Sequence, residues 1–351
     1  MGCQRRGQAN GADHDCVPRR FTITPFQVFG PLMKQSILVL GASGFIGKKV
    51  VAGLAATGWA TPILGVRRAS AAGGSDRRIV EATDVDSVYA AMHDVTAIVN
   101  CVAGDADTIV RAAKALFAAA RRKTPAPRIV HLSTMSVYGS AVGQVDETAA
   151  LQGDLGPYSA AKVAAESEAA AYSHTVIFRP GCVFGPGSEQ WTTRMARLLS
   201  AHRLGDLGPA GDGYCNLVSV ADVVLAILRA LEDPSVDGKV FNLSTPQPPT
   251  WNQFLIKYGA ALRAVPVHRI SGRRLRIETK LLAPPLKIAE ILARAGKMDP
   301  RRLPPPIPPS LIRLMGQEIQ LDTKRAETDL GLRWTDLDAT LDEGAKWYLE
   351  S

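Results

Sequence analysis

The stretch "LVLGASGFIGKKV", from Leu38 to Val50, decides the fold of this chain. Apolar residues lead into Gly41, Gly44 and Gly47, and an apolar run with two lysines follows, which is the pattern of a strand that gives way to a helix. Glycine has no Cβ, so the backbone can approach a phosphate closely, and the N-terminus of the following helix offers unpaired N–H groups. The stretch therefore predicts a binding site for a phosphate-bearing cofactor rather than a purely structural turn.

The composition is that of an ordinary globular protein. The chain has 351 residues, 46% of them hydrophobic and 21% charged, which is enough for one large domain or two modest ones. No stretch reaches the ~18 uninterrupted apolar residues that a membrane span requires. The formal net charge of +8 lies largely in short arginine clusters, without the basic stripe and aromatic platforms of a nucleic-acid face. We therefore expect a small-molecule substrate, with no nucleic-acid partner and no membrane span.

The cysteines give no sign of disulfides or of a metal site. Their number is odd, they form no close pair, and they lack metal-ligand spacing: Cys3, Cys16, Cys101, Cys182 and Cys215. This usage is typical of a reduced, cytoplasmic protein. We accordingly expect a cytoplasmic protein with no metal.

The first 32 residues differ from the rest of the chain. They are polar and basic, show no apolar periodicity and lack the apolar core of a secretory signal. Met33 stands directly before "KQSILVLGASG", where a domain of this kind would begin. We therefore predict a disordered N-terminal extension over residues 1–32.

From Ser36 onward, apolar strands alternate with helices. This rhythm predicts an α/β fold with a doubly wound parallel sheet, Rossmann-like, and a smaller, irregular C-terminal substrate domain. We place the NAD(P)-binding domain at 33–185 and the substrate domain mostly at 186–351, with 216–245 returning to the sheet. The predicted strands are 36–40, 61–68, 78–85, 96–104, 127–139 with its loop, and 174–185; the helices between them are 45–58, 86–94, 106–123 and 156–173.

The second strand ends in Arg67 and Arg68. Nicotinamide enzymes that prefer the unphosphorylated cofactor usually carry an acid at this point, which holds the ribose 2′-hydroxyl. An arginine there would instead pair with a 2′-phosphate. The cofactor is therefore predicted to be NADP, with NAD as the alternative.

Tyr158 and Lys162 lie four residues apart at the start of the helix that follows the fifth strand. At that spacing they share one helical face. A phenol has a pKa of ~10, and a nearby ammonium would lower it, so Tyr158 could exchange a proton with an alcohol or a ketone. Ser133, Thr134 and Ser136 end the fifth strand and offer a hydroxyl to orient the substrate oxygen.

Four motifs together resemble a known family. The glycine stretch, "STMSVYG" (133–139), the Tyr-x-x-x-Lys pair and "RPGCVFGPG" (179–187) occur in the order found in the extended short-chain dehydrogenase/reductases, the NAD(P)-dependent epimerase/dehydratase group. The resemblance covers about residues 34–245, with a weaker echo at 321–334. It implies an NAD(P)-dependent oxidoreductase or epimerase, and it admits a homodimer.

The resemblance also assigns roles to individual residues. It implies that Thr134 is the catalytic hydroxyl, that Tyr158 is the acid/base, and that Lys162 tunes Tyr158 and holds the nicotinamide ribose. Glu81, in "VEATD", is the counterpart of the aspartate near the adenine, although a shifted alignment would choose Asp84. The remaining implied cofactor contacts are Gly41, Ser43, Gly44, Phe45, Ile46, Gly47, Arg67, Arg68, Ala103 and Pro180.

Two positions depart from the nucleotide-sugar members of this group. Cys182 stands where those members usually have an asparagine, and Cys215 where they often have an arginine. Both of the family's residues help to hold nucleotide phosphates, so the thiols favour a small or apolar alcohol or ketone over a sugar nucleotide. The apolar, proline-rich segment 275–315 either lines the substrate pocket or only packs, and its basic part could also touch an acidic membrane surface.

Three functions remain open from the sequence. The first is an enzyme that transfers hydride at a carbinol or ketone carbon, and the second is a nucleotide-sugar epimerase or dehydratase. The third is a non-catalytic NADP(H)-binding sensor or assembly protein. Degenerate members of that last kind tend to lose the Tyr-Lys pair, which this chain keeps, so the first function is favoured.

Overall fold

The first strand, β1 (Gln35–Leu40), shows why helices cover both faces of the sheet. In the computed structural model, which describes residues 34–68, 76–296, 298 and 303–351, the side chains of β1 alternate between two apolar cores. Ile37 and Val39 belong to one core, and Leu38 and Leu40 to the other. A strand buried on both faces needs a helical layer on each side. The predicted extension at 1–32 lies outside the described residues.

The central sheet has seven strands, and every neighbouring pair in it is parallel. The strands after β1 are β2 (Ala60–Val66), β3 (Arg77–Ile79), β4 (Ala97–Asn100), β5 (Arg128–Leu132), β6 (Gly143–Val145), β7 (Thr175–Pro180), β8 (Cys182–Phe184), β9 (Leu217–Ser219), β10 (Val240–Leu243) and β11 (Ile319–Leu321). The order across the central sheet is β10-β7-β5-β4-β1-β2-β3, and β6–β11 and β8–β9 form two small parallel sheets. The predicted doubly wound, Rossmann-like sheet is therefore confirmed.

Helices form the outer layers. They are α1 (Phe45–Thr57), α2 (Val85–Ala91), α3 (Ala106–Arg121), α4 (Pro157–Ala170), α5 (Arg194–Ser200), α6 (Val220–Glu232), α7 (Trp251–Ala261), α8 (Gly272–Ile277), α9 (Ala283–Ala295), α10 (Pro309–Met315), α11 (Lys324–Asp329) and α12 (Leu337–Glu350). Residues of α1 and α6 contribute to the core that contains Ile37, and residues of α2 and α3 contribute to the core that contains Leu38.

The strand order fixes where a ligand can bind. Between β1 and β4 the chain reverses the direction in which it adds strands, which makes this pair the topological switch point. In open α/β sheets, ligands bind beyond the carboxyl ends of the strands at such a point. The loops that follow Leu40 and Asn100 lie at this edge, so the glycine stretch begins at the sheet's binding edge.

The predicted sixth strand, 174–185, is divided into two. β7 pairs with β5 and β10 in the central sheet, whereas β8 leaves it and pairs with β9. The division occurs at Gly181, where a Cβ would lie 2.0 Å from the carbonyl oxygen of Asn216. Of the segment 216–245, β10 joins the central sheet and α6 packs beside α1, but β9 lies outside that sheet.

A second apolar core lies in the C-terminal part of the chain. Trp251, Phe254 and Tyr258 of α7 are fully buried there, together with residues of α5, α10 and α12. Residues Lys34–Ser351 form one compact unit. The boundary between a cofactor domain and a substrate domain after residue 185 stays a prediction.

Candidate active site

The glycine stretch makes the tight turn that its sequence predicts. Gly41 has a φ of 75°, and a Cβ there would lie 2.7 Å from the carbonyl oxygen of Cys101. At Gly47 a Cβ would lie 2.2 Å from the carbonyl oxygen of Gly41. The Gly44 N–H donates to that same carbonyl at 2.9 Å. A side chain at Gly41 or Gly47 would therefore force the loop away from β4 or from α1.

The first turn of α1 fits a diphosphate. Gly44 caps the helix without a side-chain hydrogen bond, so in the described chain no side chain caps the N–H groups of Phe45, Ile46 and Gly47. The first turn holds no acidic residue, and Ser43 and Gly44 are exposed. Unpaired N–H groups at the positive end of the helix dipole suit an anion. These residues would hold the diphosphate of a dinucleotide.

Two further predicted contacts belong to the same edge of the sheet. Ala103 is exposed in the loop after β4, where the side chain of Asn100 accepts a hydrogen bond from the Val102 N–H at 3.1 Å. Pro180 ends β7 and is buried. Both residues follow or end central strands, as Gly41 does, and parallel strands present their carboxyl ends at one edge.

The basic and acidic residues predicted near the adenosine end come close together. Arg67 and Arg68 are exposed directly after β2. Glu81 accepts hydrogen bonds from the Thr83 hydroxyl (2.7 Å) and N–H (3.3 Å), which lower the pKa of Glu81, and the charge of Arg67 lowers it further. Asp84 caps α2 by accepting from the Ser87 N–H at 2.7 Å.

Asp84 is used as a helix cap, whereas the Glu81 side chain, among the described residues, bonds only to Thr83 of its own turn and lies within the field of Arg67. This geometry favours the first of the two sequence alignments for the adenine position. The assignment of the adenine contact itself stays a prediction.

Thr134 and Tyr158 meet where β5 ends and α4 begins. Thr134 lies in extended backbone directly after β5, where its Oγ1 accepts from the Ser136 N–H at 3.3 Å, and its hydroxyl lies close enough to Tyr158 to affect the pKa of the phenol. Tyr158 follows Pro157 in the first turn of α4, and 49% of it is exposed. Burial of the phenol raises the pKa of Tyr158, while the Thr134 hydroxyl opposes this rise. The side chain is thus open to a substrate and is held as a neutral phenol.

Lys162 lies one turn further along α4 and is almost fully buried, at 6% exposed. Its Nζ donates to the carbonyl oxygen of Leu132 at 2.9 Å. Burial lowers the pKa of Lys162 to about 8, against the opposing effects of Cys101 and Glu166. The predicted lowering of the Tyr158 pKa by this ammonium is not found: burial raises the pKa of Tyr158, and the Thr134 hydroxyl, not Lys162, opposes the rise.

A buried ionic network behind these residues was missed from the sequence. Glu166 accepts from the Ser133 hydroxyl at 2.6 Å and from Arg179 Nε at 2.9 Å, and it forms an ion pair with Arg179. Arg179 also donates to the hydroxyl of Tyr138 at 2.8 Å. The sequence did contain one sign that Glu166 belongs to the site: it lies four residues after Lys162 and so shares the same face of the helix. The network anchors the residue that precedes Thr134.

The two cysteines singled out from the sequence do not face open space. Cys182 is 3% exposed and Cys215 fully buried, and both belong to the C-terminal apolar core. Burial raises the pKa of both thiols well above the usual value. They are neutral packing groups at positions where nucleotide-sugar members carry polar residues.

A cavity of about 890 Å³ lies beside the segment predicted as a pocket wall. Its lining combines apolar and charged groups: Glu189, Gln190, Arg194, Arg197, Thr279, Lys280, Ala283, Pro284, Lys287, Glu290, Leu303, Pro304, Pro305, Pro306, Pro308 and Pro309. Its edge at Glu189 lies two residues after Gly187, where a Cβ would contact the Phe45 ring at 3.6 Å. Glu189 is thus two residues along the chain from a glycine that approaches Phe45 of α1, whereas Thr134, Tyr158 and Lys162 are not among the lining residues.

Arginines hold the proline-rich wall of this cavity. Arg194 donates to the carbonyl oxygen of Pro306 at 2.6 Å, and Arg203 donates to that of Pro305 at 2.9 Å. Arg197 likewise donates to the carbonyl oxygen of Leu303.

Among the helices of the described residues, none combines the length and the apolar character that a membrane span requires.

Comparison with known proteins gives one family and many similar structures. The family described as Epimerase, NAD dependent epimerase/dehydratase family, matches residues 37–244. MoeE5 in complex with UDP-glucose and NAD is 20% identical with a TM-score of 0.66, over 90% of this chain and 99% of that one. A search of curated proteins gave no significant match.

Two further structures show the same fold. Human epimerase family protein SDR39U1 (isoform 2) with NADPH is 20% identical with a TM-score of 0.66, over 89% of this chain and 99% of its own. UDP-N-acetylglucosamine 4-epimerase from Bacillus cereus is 17% identical with a TM-score of 0.66, over 90% and 99%. At these identities the likeness establishes the fold.

Proposed function

The chain belongs to the NAD dependent epimerase/dehydratase family, and from this premise we propose that it transfers a hydride between NADP(H) and a carbinol or ketone carbon of a small or apolar substrate. The observation that carries the proposal is the position of the half-exposed Tyr158 near the Thr134 hydroxyl at the carboxyl end of β5, one turn from the buried Lys162. Family membership makes the chain an NAD(P)-dependent enzyme of the short-chain dehydrogenase/reductase type. The roles of individual residues and the substrate are the proposed part.

Tyr158 is the proposed proton donor and acceptor. Its raised pKa keeps the phenol protonated at neutral pH, so it can donate to the oxygen of a ketone as the carbon is reduced. In the reverse direction the phenolate takes the proton of the alcohol. Thr134 would orient the same oxygen because its hydroxyl already lies within hydrogen-bond reach of Tyr158. The bound nicotinamide would supply or accept the hydride.

Lys162 would act from behind Tyr158. With a pKa of about 8 it stays largely protonated at neutral pH, although it is buried. Its fixed bond to the Leu132 carbonyl places a positive charge under the start of α4, close to Cys101. That charge would stabilise a phenolate formed during the reaction and would help to hold the nicotinamide ribose.

NADP(H) is favoured over NAD(H) by charge. Arg67 and Arg68 end β2 and are exposed, so their guanidinium groups are available to a 2′-phosphate. Glu81 lies near Arg67 and would repel that phosphate in part. Two cations against one acid leave a net positive site, which suits the phosphorylated cofactor.

The neutral thiols support a small or apolar substrate. Cys182 and Cys215 are packed within an apolar core, so neither can hold a phosphate. The cavity of about 890 Å³ has a proline-rich wall that would accept an apolar alcohol or ketone.

A nucleotide sugar is the competing substrate, and one observation favours it. Arg194, Arg197, Lys280 and Lys287 also line the cavity, and they could bind a diphosphate. MoeE5 and the Bacillus cereus enzyme carry UDP-sugars in their names. Binding of UDP therefore separates the two candidates.

The test is Tyr158→Phe, assayed through nicotinamide absorbance on panels of ketones, sterols and sugar nucleotides. This change removes one exposed hydroxyl, so we expect turnover to fall by ~10²–10⁴-fold while cofactor affinity is kept. Tyr89→Phe is the matched control, because Tyr89 is an exposed tyrosine on α2. Turnover of Tyr158→Phe within twofold of the wild type would refute the assignment.

A further inference from the structure

A row of large apolar side chains is exposed on the helical segment 272–298. We call it the outer stripe, and its members are between 42% and 67% exposed: Leu281, Leu282, Ile288, Ile291, Leu292 and Met298. They make up six of the fourteen exposed large apolar and aromatic residues in the described chain. Concentration of such residues in one short segment marks an interaction surface rather than ordinary scatter.

The spacing of the outer stripe follows the helix. Ile288, Ile291 and Leu292 lie within α9 at the i, i+3 and i+4 spacing of one helical face. The opposite face packs on the protein, since Leu275, Ala283 and Ala293 are buried. The segment is therefore apolar on both sides, and its outward side has no protein to cover it within the described chain.

Within the described part of the segment itself, the exposed charged side chains are positive. Five cations on the same segment are exposed: Arg273, Arg274, Arg276, Lys280 and Lys287. Its two acids are both in ion pairs, because Glu278 is buried against Arg203 and Glu290 meets Lys287 at 3.1 Å. The surface offered to a partner thus combines apolar side chains with an excess of positive charge.

We propose that this segment docks on the surface of an anionic lipid bilayer. An amphipathic helix with a basic flank lies in the headgroup region, where its apolar side chains are buried and its cations attract anionic lipids. The proposal does not rest on the reaction or the cofactor, because none of the stripe's side chains lines the cavity, although Lys280 and Lys287 of the same segment do.

Charge disfavours the two other occupants. A second copy of this chain, related by a two-fold axis, would bring the same five cations together with no exposed acid of the segment to pair with them. Residues 1–33 are also basic, with four arginines against two aspartates. An anionic bilayer is the partner whose chemistry complements both the apolar stripe and the cations.

The test is flotation of the full chain with vesicles of phosphatidylcholine alone or of phosphatidylcholine with about a third phosphatidylglycerol. Each cation near an anionic surface contributes about a fivefold gain in partitioning. We expect at least tenfold stronger binding to the anionic vesicles, and a loss of binding as about 1 M salt shortens the screening length to about 3 Å. Equal binding to both vesicle types, or binding to neither, would overturn the proposal.

Variants locate the surface. Ile288→Glu with Leu292→Glu should weaken binding at least tenfold, whereas Val265→Glu with Leu349→Glu, which changes residues of similar exposure elsewhere, should not. Arg273→Gln should reduce the preference for anionic vesicles. Unchanged binding of the Ile288/Leu292 variant refutes the assignment. A second result would also refute it: the wild type binds no vesicles, and light scattering shows that it is a dimer and that the Ile288/Leu292 variant is a monomer. That result would assign the stripe to contact with a second copy of the chain.

Discussion

Gly47→Ala tests the link between the glycine stretch and the cofactor most directly. Gly47 lies inside α1, where alanine would ordinarily be more favourable than glycine by about 1 kcal/mol. Here the added Cβ would lie 2.2 Å from the backbone carbonyl oxygen of Gly41, and no rotamer change can move either atom because the backbone fixes the position of both. The loop must therefore separate from the helix.

The distance sets the size of the effect. Real Cβ contacts essentially never fall under 3.0 Å, so loop and helix must separate by at least about 0.8 Å. A hydrogen bond stretched by that amount from about 2.9 Å exceeds the usual limit. A charge-assisted bond from an N–H to a phosphate is worth about 1.5–3 kcal/mol, so the loss of one weakens cofactor binding roughly ten- to a hundredfold.

Calorimetric titration with NADP(H) measures the effect, and Gly53→Ala is the matched control. Gly53 lies in the same helix, but its added Cβ would meet a side-chain methyl of Val224 on α6 at 2.6 Å, so the change disturbs the packing of α1 on α6 and not the glycine loop. We expect Gly53→Ala to keep wild-type affinity, while Gly47→Ala loses at least tenfold. An affinity of Gly47→Ala within threefold of the wild type would refute the reasoning, since the diphosphate would then not depend on the loop.

Three other predictions test the proposed contacts. Replacing Arg67 and Arg68 together by alanine should abolish the preference for NADP(H) over NAD(H) in calorimetry; an unchanged preference would mean that they face solvent. Glu166→Gln leaves the buried Arg179 without its counter-charge, so denaturant unfolding should show a fall of about 3–5 kcal/mol in the free energy of unfolding. The control Arg111→Gln breaks an exposed ion pair and should lower it by less than about 0.5 kcal/mol. Similar losses in the two variants would contradict the buried network. UDP should bind the cofactor-loaded protein only weakly, and micromolar affinity would restore the nucleotide-sugar candidate.

The sheet was predictable because its signals are local. A continuous apolar run such as 37–40 specifies a strand buried on both faces, and the glycines after it specify the turn into α1. The break of the sixth predicted strand was not predictable in this way. It depends on the approach of Asn216 to Gly181, and those residues are 35 positions apart in the sequence.

The residues of the candidate site also differ in how far the sequence could predict them. Thr134, Tyr158 and Lys162 could be selected because motifs of fixed spacing carry them, and the structure brings Thr134 and Tyr158 into contact. The ion pair of Glu166 with Arg179 joins α4 to β7, and it is expected to matter for stability because both side chains are buried. Burial of individual polar groups is a property of the whole fold, so sequence spacing alone could suggest Glu166 but could not assign its partner.

The proline-rich wall bears on the choice of substrate. Proline has no N–H, so the carbonyl oxygens of the wall need donors from elsewhere. Arg194, Arg197 and Arg203 supply them through bonds to residues 303–306. A guanidinium that already holds the wall can turn to a diphosphate only by giving up part of that contact. Arg194 and Arg197, which line the cavity, therefore have a structural task, which supports a small or apolar substrate over a nucleotide sugar.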